Sequence, residues 1–380
     1  MTDSATTTLI DSTSDLEEIA RQARTAGAIG VDTEFVWERT FYPRLGLIQM
    51  ALPDGRCFLF DVPAIGNLEP FAAVLADGSV VKIFHDAQQD LTILAGATGK
   101  TAKNIFDTRL AAGFCGLSST SSLATLVNTI LGVGLTKSHT RSDWLKRPLS
   151  PEQLSYACDD VNYLVPLRFI LLGRITTPET RHWLAEELLG LADKQLADES
   201  DDTRYLKVKG ARSLDRRGLA IVRELYRWRE CEAIRRDRPR SHIMADKTMV
   251  TIARLRLNSI DKLRQSGALN ERKLRTYGAG IASCVQKGYK VPSALLPEKE
   301  TRHPLSETEK KAYNLLKTQV EQKCTMLGID PALIATSSEL KEIVSANKRA
   351  SLGRARRLLT GWRGHFLADI IPLINPSLLK

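Results

Sequence analysis

The chain has 380 residues, 43% of them hydrophobic and 26% charged, an ordinary balance for a soluble globular protein but too long for one typical domain. No run approaches the ~18 apolar residues of a membrane span, and the polar start Met1–Asp15 lacks the order of a secretory signal. The net charge of +10 is unevenly placed: −4 over residues 1–175, −5 over 176–205, +14 over 206–291 and +5 over 292–380. An acidic first half joined to a strongly basic segment suggests a catalytic unit coupled to a unit that binds a polyanion. The six cysteines form no CxxC pair and no zinc spacing with histidine, which predicts free thiols in a cytoplasmic protein.

In chain order, the pattern predicts a helix over Thr13–Ala26, then a strand over Ala28–Phe35. Residues 44–62, with the turn Pro53-Asp54-Gly55, read as a β-hairpin. A short helix over Leu68–Leu75, a strand over Val80–Phe84, a helix over His85–Gly96, and a strand at Asn104–Thr108 running into a helix over Thr108–Leu117 follow. Helices over Ser121–Leu131 and Pro151–Leu172 complete the α/β part, whose strand order predicts a mixed sheet. Ser150 caps the last of these, with Pro151 at its first position. Residues 176–206 read as an acidic helical connector. Beyond them only helical periods persist, in two all-α modules over 207–292 and 303–380, separated by the proline-marked stretch from Pro292 to Pro304. The modules rhyme loosely: each opens on a long helix, passes a turn containing Pro239 or Pro331, and continues in shorter helices.

Three short motifs carry chemistry. In Gly30-Val31-Asp32-Thr33-Glu34-Phe35 the two acids lie two positions apart, so a strand projects Asp32 and Glu34 from one face. Such a pair is either a solvated strand face or the beginning of a cation site. The second motif, His85-Asp86-Ala87-Gln88-Gln89-Asp90, places Asp90 on the helix after a buried strand. In the third, Tyr156-Ala157-Cys158-Asp159-Asp160, positions i and i+4 put Tyr156 and Asp160 on one helix face. Four carboxylates converging on one pocket require cations. Two Mg²⁺ or Mn²⁺ ions at the ~3.5–4 Å spacing of two-metal sites would meet that need and suit in-line phosphoryl displacement. The phenol is placed to orient water, and its ordinary pKa of ~10 makes it a poor base. The tripeptide Gly99-Lys100-Thr101 is no P-loop, because Leu94 stands where the first glycine belongs and a helix precedes it.

The order Asp32-x-Glu34, Asp90, Tyr156-x3-Asp160, with its surroundings VDTEF, HDAQQDL and TRSDWLKRPLSPEQLSYACDDVNYL, resembles the DEDDy branch of the DEDD 3′→5′ exonucleases, and within it the ribonuclease D type. The resemblance implies a ribonuclease H-like exonuclease domain over residues 1–175, and the two helical modules each resemble an HRDC domain. It implies that Asp32, Glu34, Asp90 and Asp160 bind two divalent ions, with Tyr156 as the water-orienting phenol. It further implies that Thr33, Phe35, His85, Lys137 and Arg141 meet the substrate. The activity implied is removal of single nucleotides from RNA 3′ ends as 5′-monophosphates, in tRNA precursor processing, by a cytoplasmic monomer with no membrane partner. Nothing in the motifs senses a 2′-hydroxyl, so the choice of RNA over DNA rests on the resemblance.

Overall fold

The computed structural model describes residues 7–135, 142–194, 201–298, 304–346 and 352–379. Its first part alternates strands and helices in the order β1 (Thr7–Ile10), α1 (Thr13–Ala26), β2 (Ala28–Val36), β3 (Arg44–Ala51), β4 (Cys57–Asp61), α2 (Val62–Ile65), α3 (Glu69–Ala76), β5 (Val81–Phe84), α4 (Gln88–Thr98), β6 (Ile105–Asp107), α5 (Thr108–Gly113), α6 (Leu123–Leu131), α7 (Pro151–Asn162), α8 (Leu164–Arg174) and α9 (Pro178–Lys194). The helical remainder comprises α10 (Asp201–Arg204), α11 (Arg216–Arg236), α12 (Arg240–Ile243), α13 (Asp246–Leu255), α14 (Ile260–Gln265), α15 (Glu271–Lys290), α16 (Glu307–Leu327), α17 (Pro331–Ile334), α18 (Ser337–Ser345), α19 (Gly361–Leu367) and α20 (Ile371–Ile374).

The six strands form one sheet in the order β1-β4-β3-β2-β5-β6. The β3–β4 hairpin is antiparallel, while β1 on β4, β2 on β5 and β5 on β6 are parallel. The mixed sheet is therefore as expected from the pattern. β1 is not: Thr7–Ile10 lies inside the stretch read as a polar start, and it becomes a strand by pairing with Cys57–Phe60. A four-residue edge strand carries too short a period to be recognised without its partner. Ile29 and Val31 on β2, Ile48 and Met50 on β3, Phe60 on β4 and Phe84 on β5 are fully buried in the core beneath α1, α3 and α4.

Two helices differ from their sequence reading for identifiable reasons. The predicted helix over Pro151–Leu172 breaks between Asn162 and Leu164 into α7 and α8. Pro166 lacks an N–H, and its ring collides with the carbonyl four residues back, which forbids a continuous helix there. At the start of α4, His85, Asp86 and Ala87 form a turn rather than helix. Asp86 takes φ +65°, and Asp107 accepts hydrogen bonds from the N–H groups of Asp86 and Ala87 at 3.3 and 2.9 Å.

The chain groups into two compact units. One contains residues 1–35, 45–196 and 304–380; the other contains 36–44 and 197–303. In the first unit α9 packs against β6, and Trp183 and Leu191 are buried. The C-terminal helices are fastened to the same unit. Trp362 stacks on Trp183 with ring centroids 5.4 Å apart, and its indole N–H donates to Glu187 at 2.7 Å. Asp330 accepts from the Ser119 N–H at 2.6 Å and donates its own N–H to the Gly113 carbonyl at 2.8 Å. Trp144, Trp183 and Trp362 are all buried and serve as packing residues.

The second unit is built on the antiparallel packing of α11 against α15, with Val222, Leu225, Met249, Ile252, Ile281 and Val285 in its core. Arg229, buried along its stem, donates to Asp246 at 2.6 Å and so ties α11 to the start of α13. Among the described residues no helix is long and apolar enough to cross a membrane.

Candidate active site

The site begins with a glycine. β2 carries Gly30 two residues before Asp32, on the same strand face. A Cβ on Gly30 would lie 2.8 Å from the Val161 carbonyl oxygen and 3.2 Å from the Leu164 Cβ. Only hydrogen fits, so the end of α7 closes directly on β2. α7 itself starts at a fixed point: the Ser150 hydroxyl accepts from the Gln153 N–H, and the Gln153 side chain answers to the Ser150 N–H. Tyr156 and Asp160 are thereby carried one helical turn apart onto the acids of β2.

Asp32, Glu34 and Asp160 each offer one carboxylate oxygen, and the three oxygens lie within 4.8 Å of one another. All three residues are partly buried. Together with His85, Leu123 and Tyr156 they line a cleft of about 240 Å³. The alternative of a solvated strand face is thus excluded. Burial, followed by the charges of Asp160 and Asp90, pushes the Glu34 carboxyl up to about 9. Burial and the neighbouring acids also raise Asp32 well above the ordinary carboxylate range. Burial raises Asp160 to about 7, against the lowering effect of its hydrogen bond with the Tyr156 hydroxyl. Such a cluster binds protons or cations strongly, because each bare charge is destabilised by burial and by the others.

Asp90 stands outside that group of three. It is buried in the first turn of α4, and its Oδ1 accepts the Thr33 hydroxyl proton at 2.5 Å. Burial raises it to about 7, and its charge in turn raises Asp32 and Glu34. Thr33 was expected beside the terminal nucleotide. Its side chain is instead 5% exposed and turned to Asp90, on the strand face opposite Asp32 and Glu34. Phe35, expected in the same role, is partly buried and packs against the hydrophobic core. Neither residue lines the cleft.

His85 does line the cleft, with both ring nitrogens engaged by the protein. Nδ1 lies 3.0 Å from the Thr108 hydroxyl and Nε2 lies 3.0 Å from the Ser121 carbonyl oxygen. Burial is the main influence on the ring and lowers its pKa, which favours the neutral form. A neutral ring donates from Nε2 to the Ser121 carbonyl, which cannot donate, while Nδ1 lies beside the Thr108 hydroxyl, whose proton also faces the Phe84 carbonyl at 3.0 Å. What His85 offers the cleft is therefore its ring face. Lys137 and Arg141 lie outside the described residues.

Tyr156 is raised above its ordinary pKa, first by burial and then by Asp160, Glu34 and Asp32. It stays protonated and acts as a hydrogen-bond donor. Its ring rests near Trp144, with centroids 6.1 Å apart. A clamp absent from the sequence reading holds Trp144 there. Arg147 meets Asp61 through two bonds of 2.5 and 2.7 Å, and donates to the Trp144 and Gly46 carbonyls at 2.8 and 3.0 Å. Gly46 is needed for the close approach, since a Cβ there would lie 2.4 Å from the Trp144 carbonyl oxygen. The signal was present in TRSDWLKRPLSPEQL, but Asp61 lies 86 positions away, and no spacing rule links it to Arg147. Arg147→Ala strands the buried Asp61 carboxylate, and is expected to cost about 3 kcal/mol in denaturant unfolding. Turnover should fall with it as Tyr156 loses its backing.

The 3'-5' exonuclease family matches over residues 7–175, and the HRDC domain over residues 218–285. Ribonuclease D of Desulfotalea psychrophila is 43% identical over 95% of this chain and 96% of its own. Ribonuclease D of Bartonella henselae is 31% identical over 93% of this chain and 86% of its own. The crystal structure of Escherichia coli RNase D, an exoribonuclease involved in structured RNA processing, matches with a TM-score of 0.85 at 27% identity. That match covers 97% of this chain and 98% of the other. The sheet carrying clustered acids, the helical region that follows, and similarity along nearly the full length lead to one assignment: the chain belongs to the ribonuclease D family of 3′→5′ exonucleases.

Proposed function

We propose that this protein trims the 3′ ends of tRNA precursors, one nucleotide at a time, releasing 5′-monophosphates. Its family makes it a metal-dependent 3′→5′ exoribonuclease and a hydrolase of phosphodiester bonds. The observation that carries the finer reading is the meeting of Asp32, Glu34 and Asp160 within 4.8 Å, beside Tyr156.

The donor set fits divalent cations. All three groups are hard carboxylate oxygens, crowded and partly buried, and Asp90 adds a fourth negative charge nearby. We assign Asp32, Glu34 and Asp160, with Asp90 behind them, to holding two Mg²⁺ or Mn²⁺ ions. When bound, such ions lower the pKa of water and offset the charge that develops on the phosphate and the departing 3′-oxygen.

The protein's own groups do the rest. The Tyr156 hydroxyl donates to Asp160, and from that position it would orient the attacking water. It passes no proton, since its pKa is raised. The bond to the 3′-oxygen breaks, leaving a shortened RNA with a 3′-hydroxyl and a free 5′-monophosphate. Leu123 and the His85 ring face supply the apolar walls for the terminal nucleoside, and Thr33 positions Asp90. The basic first helical module holds the RNA body through phosphate contacts, so affinity should fall steeply with salt.

We further infer that the chain works as a monomer in the cytoplasm. Its functional division would be the exonuclease domain 1–175, a helical connector 176–206, a first HRDC-like module 207–292 and a second 303–380.

A precursor tRNA with a 3′ extension, incubated with each metal, tests the reading. A ladder of 3′-shortened RNA with 5′-mononucleotides is expected. Absence of trimming, or clear preference for a matched DNA, would overturn it. In the same assay Tyr156→Phe should lower kcat by about 10- to 100-fold, less than loss of any acid, because the carboxylates remain. Equal losses would remove the water-orienting role from Tyr156.

A further inference from the structure

The five tryptophans fall into two groups. Trp144, Trp183 and Trp362 are at most 2% exposed, and Trp228 packs against the core of the helical unit. Trp37 is 64% exposed. It follows the last residue of β2, and belongs to the segment Val36–Arg44, which folds with the basic helical unit. In the same segment Tyr42 is 60% exposed and stands edge-on to Phe41, with ring centroids 4.8 Å apart.

The segment is held in place from α11 and α12. Asp237 caps the C-terminal end of α11 in a left-handed conformation, with φ +45°. Its carboxylate accepts the Phe41 N–H at 3.0 Å and pairs with Arg44 at 3.5 Å. The Arg240 guanidinium lies 4.5 Å above the Phe41 ring, with Glu230 as its ion partner at 2.7 Å. Phe41 is thus the partly buried foot of the segment, while Trp37 and Tyr42 face water. Arg39 and Arg44 in the segment, and Arg238 and Arg240 beside its anchor at Asp237, are exposed, with Glu38, Asp237 and Glu230 as the acids of the same group.

A pinned loop has no folding reason to present two large rings to solvent, since exposed aromatic area forfeits burial energy. Rings set among arginines are what single-stranded nucleic acid needs. Every base has a face to stack, and the guanidinium groups meet the phosphates. A protein partner would also use Trp, Tyr and Arg. The charge of +14 over residues 206–291 favours the polyanion. So does chain continuity, because Trp37 lies three residues past Glu34.

We propose that Trp37 and Tyr42 form a base-stacking platform for the single-stranded stretch of the RNA substrate upstream of its 3′-terminal nucleotide. This rests on the exoribonuclease reading above, and deepens it. The platform holds unpaired nucleotides of any sequence. Paired RNA, whose bases are already stacked on one another, gains nothing from it.

The test uses the full-length Asp32→Asn protein with Mg²⁺, and two fluorescent 12-nucleotide probes: oligo(A), and an abasic ribose-phosphate chain of equal length. Adding Trp37→Ala should weaken oligo(A) binding about tenfold, and Trp37→Phe should restore most of it. The abasic chain should bind both proteins alike. The slope of log K against log salt should not change, because no phosphate contact is removed. If Trp37→Ala binds oligo(A) as its parent does, or weakens both probes equally, the platform is wrong, and the first of these results points to a protein-docking role. Wild-type protein that degrades no RNA would instead overturn the exoribonuclease reading. Active wild-type enzyme with indifferent Trp37 variants would overturn the platform alone.

Discussion

Asp32→Asn is expected to reduce exonuclease turnover by about a thousandfold, leave RNA binding intact, and make the metal-free protein more stable at pH 8. The loss of turnover follows from removing one of three oxygens that meet within 4.8 Å, at a site where charge stabilisation dominates the barrier. The gain in stability follows from the same crowding. Asp160 is held at about 7 and Glu34 at about 9, both above ordinary carboxylates, and Asp32 is raised as well. A carboxyl raised in the folded state binds its proton more tightly there than in the unfolded chain. Its contribution to stability is complete below its ordinary pKa, and is lost as pH rises through the raised value. The metal-free wild type should therefore lose stability steadily between about pH 4 and pH 9.

Asparagine removes one of the repelling charges, so the variant should lose less over that window. Thermal unfolding with chelator across that pH range checks this, and a lower melting temperature for the variant at pH 8 would contradict it. With Mn²⁺ or Mg²⁺ the order should reverse. Ligation stabilises the folded wild type by mass action, and the variant has a poorer site. Function and metal-free stability are thus set against each other at a single residue.

Gly30→Ala is expected to cost about 1–3 kcal/mol in denaturant unfolding and to lower kcat by about a hundredfold, although the residue touches no substrate. The added methyl would lie 2.8 Å from a backbone oxygen of α7 and 3.2 Å from Leu164. Neither neighbour is the tip of a flexible side chain, so the helix itself must move away from β2. Tyr156 and Asp160 move with it, while Asp32 and Glu34 stay on the strand. The oxygens that now share one small volume would separate, and cation affinity should drop together with kcat. Calorimetric titration of Mn²⁺ into the metal-free variant separates this from simple loss of stability. Wild-type affinity in a destabilised protein would show that α7 accommodates the methyl without displacing Asp160.

Much of this site could be read from local spacing. Asp32 and Glu34 share a strand face because the pleat repeats every two residues, and Tyr156 and Asp160 share a helix face because four residues make about one turn. The long helix expected to open each all-α module likewise follows from period, and lies at Arg216–Arg236 in the first and Glu307–Leu327 in the second. Where the reading differed, a distant contact decided. Thr33 appeared free for substrate until Asp90, 57 positions on, took its hydroxyl. His85 was expected to meet the substrate, and the fold places Thr108 and Ser121 against its two ring nitrogens. Thr7–Ile10 is a strand only because β4 lies beside it.

The sequence by itself determined which groups are the candidates for the chemistry, since four acids and a phenol in that order leave few other arrangements, and it determined the mixed α/β class and the helical remainder. Only the tertiary structure decided how those groups are held. Gly30 admits α7, Arg147 and Asp61 brace Trp144 behind Tyr156, and burial raises the carboxyls until a cation is the better occupant. The division has one physical origin. Periodicity is a property of neighbours along the chain, whereas close approach, desolvation and charge repulsion depend on what the fold brings near.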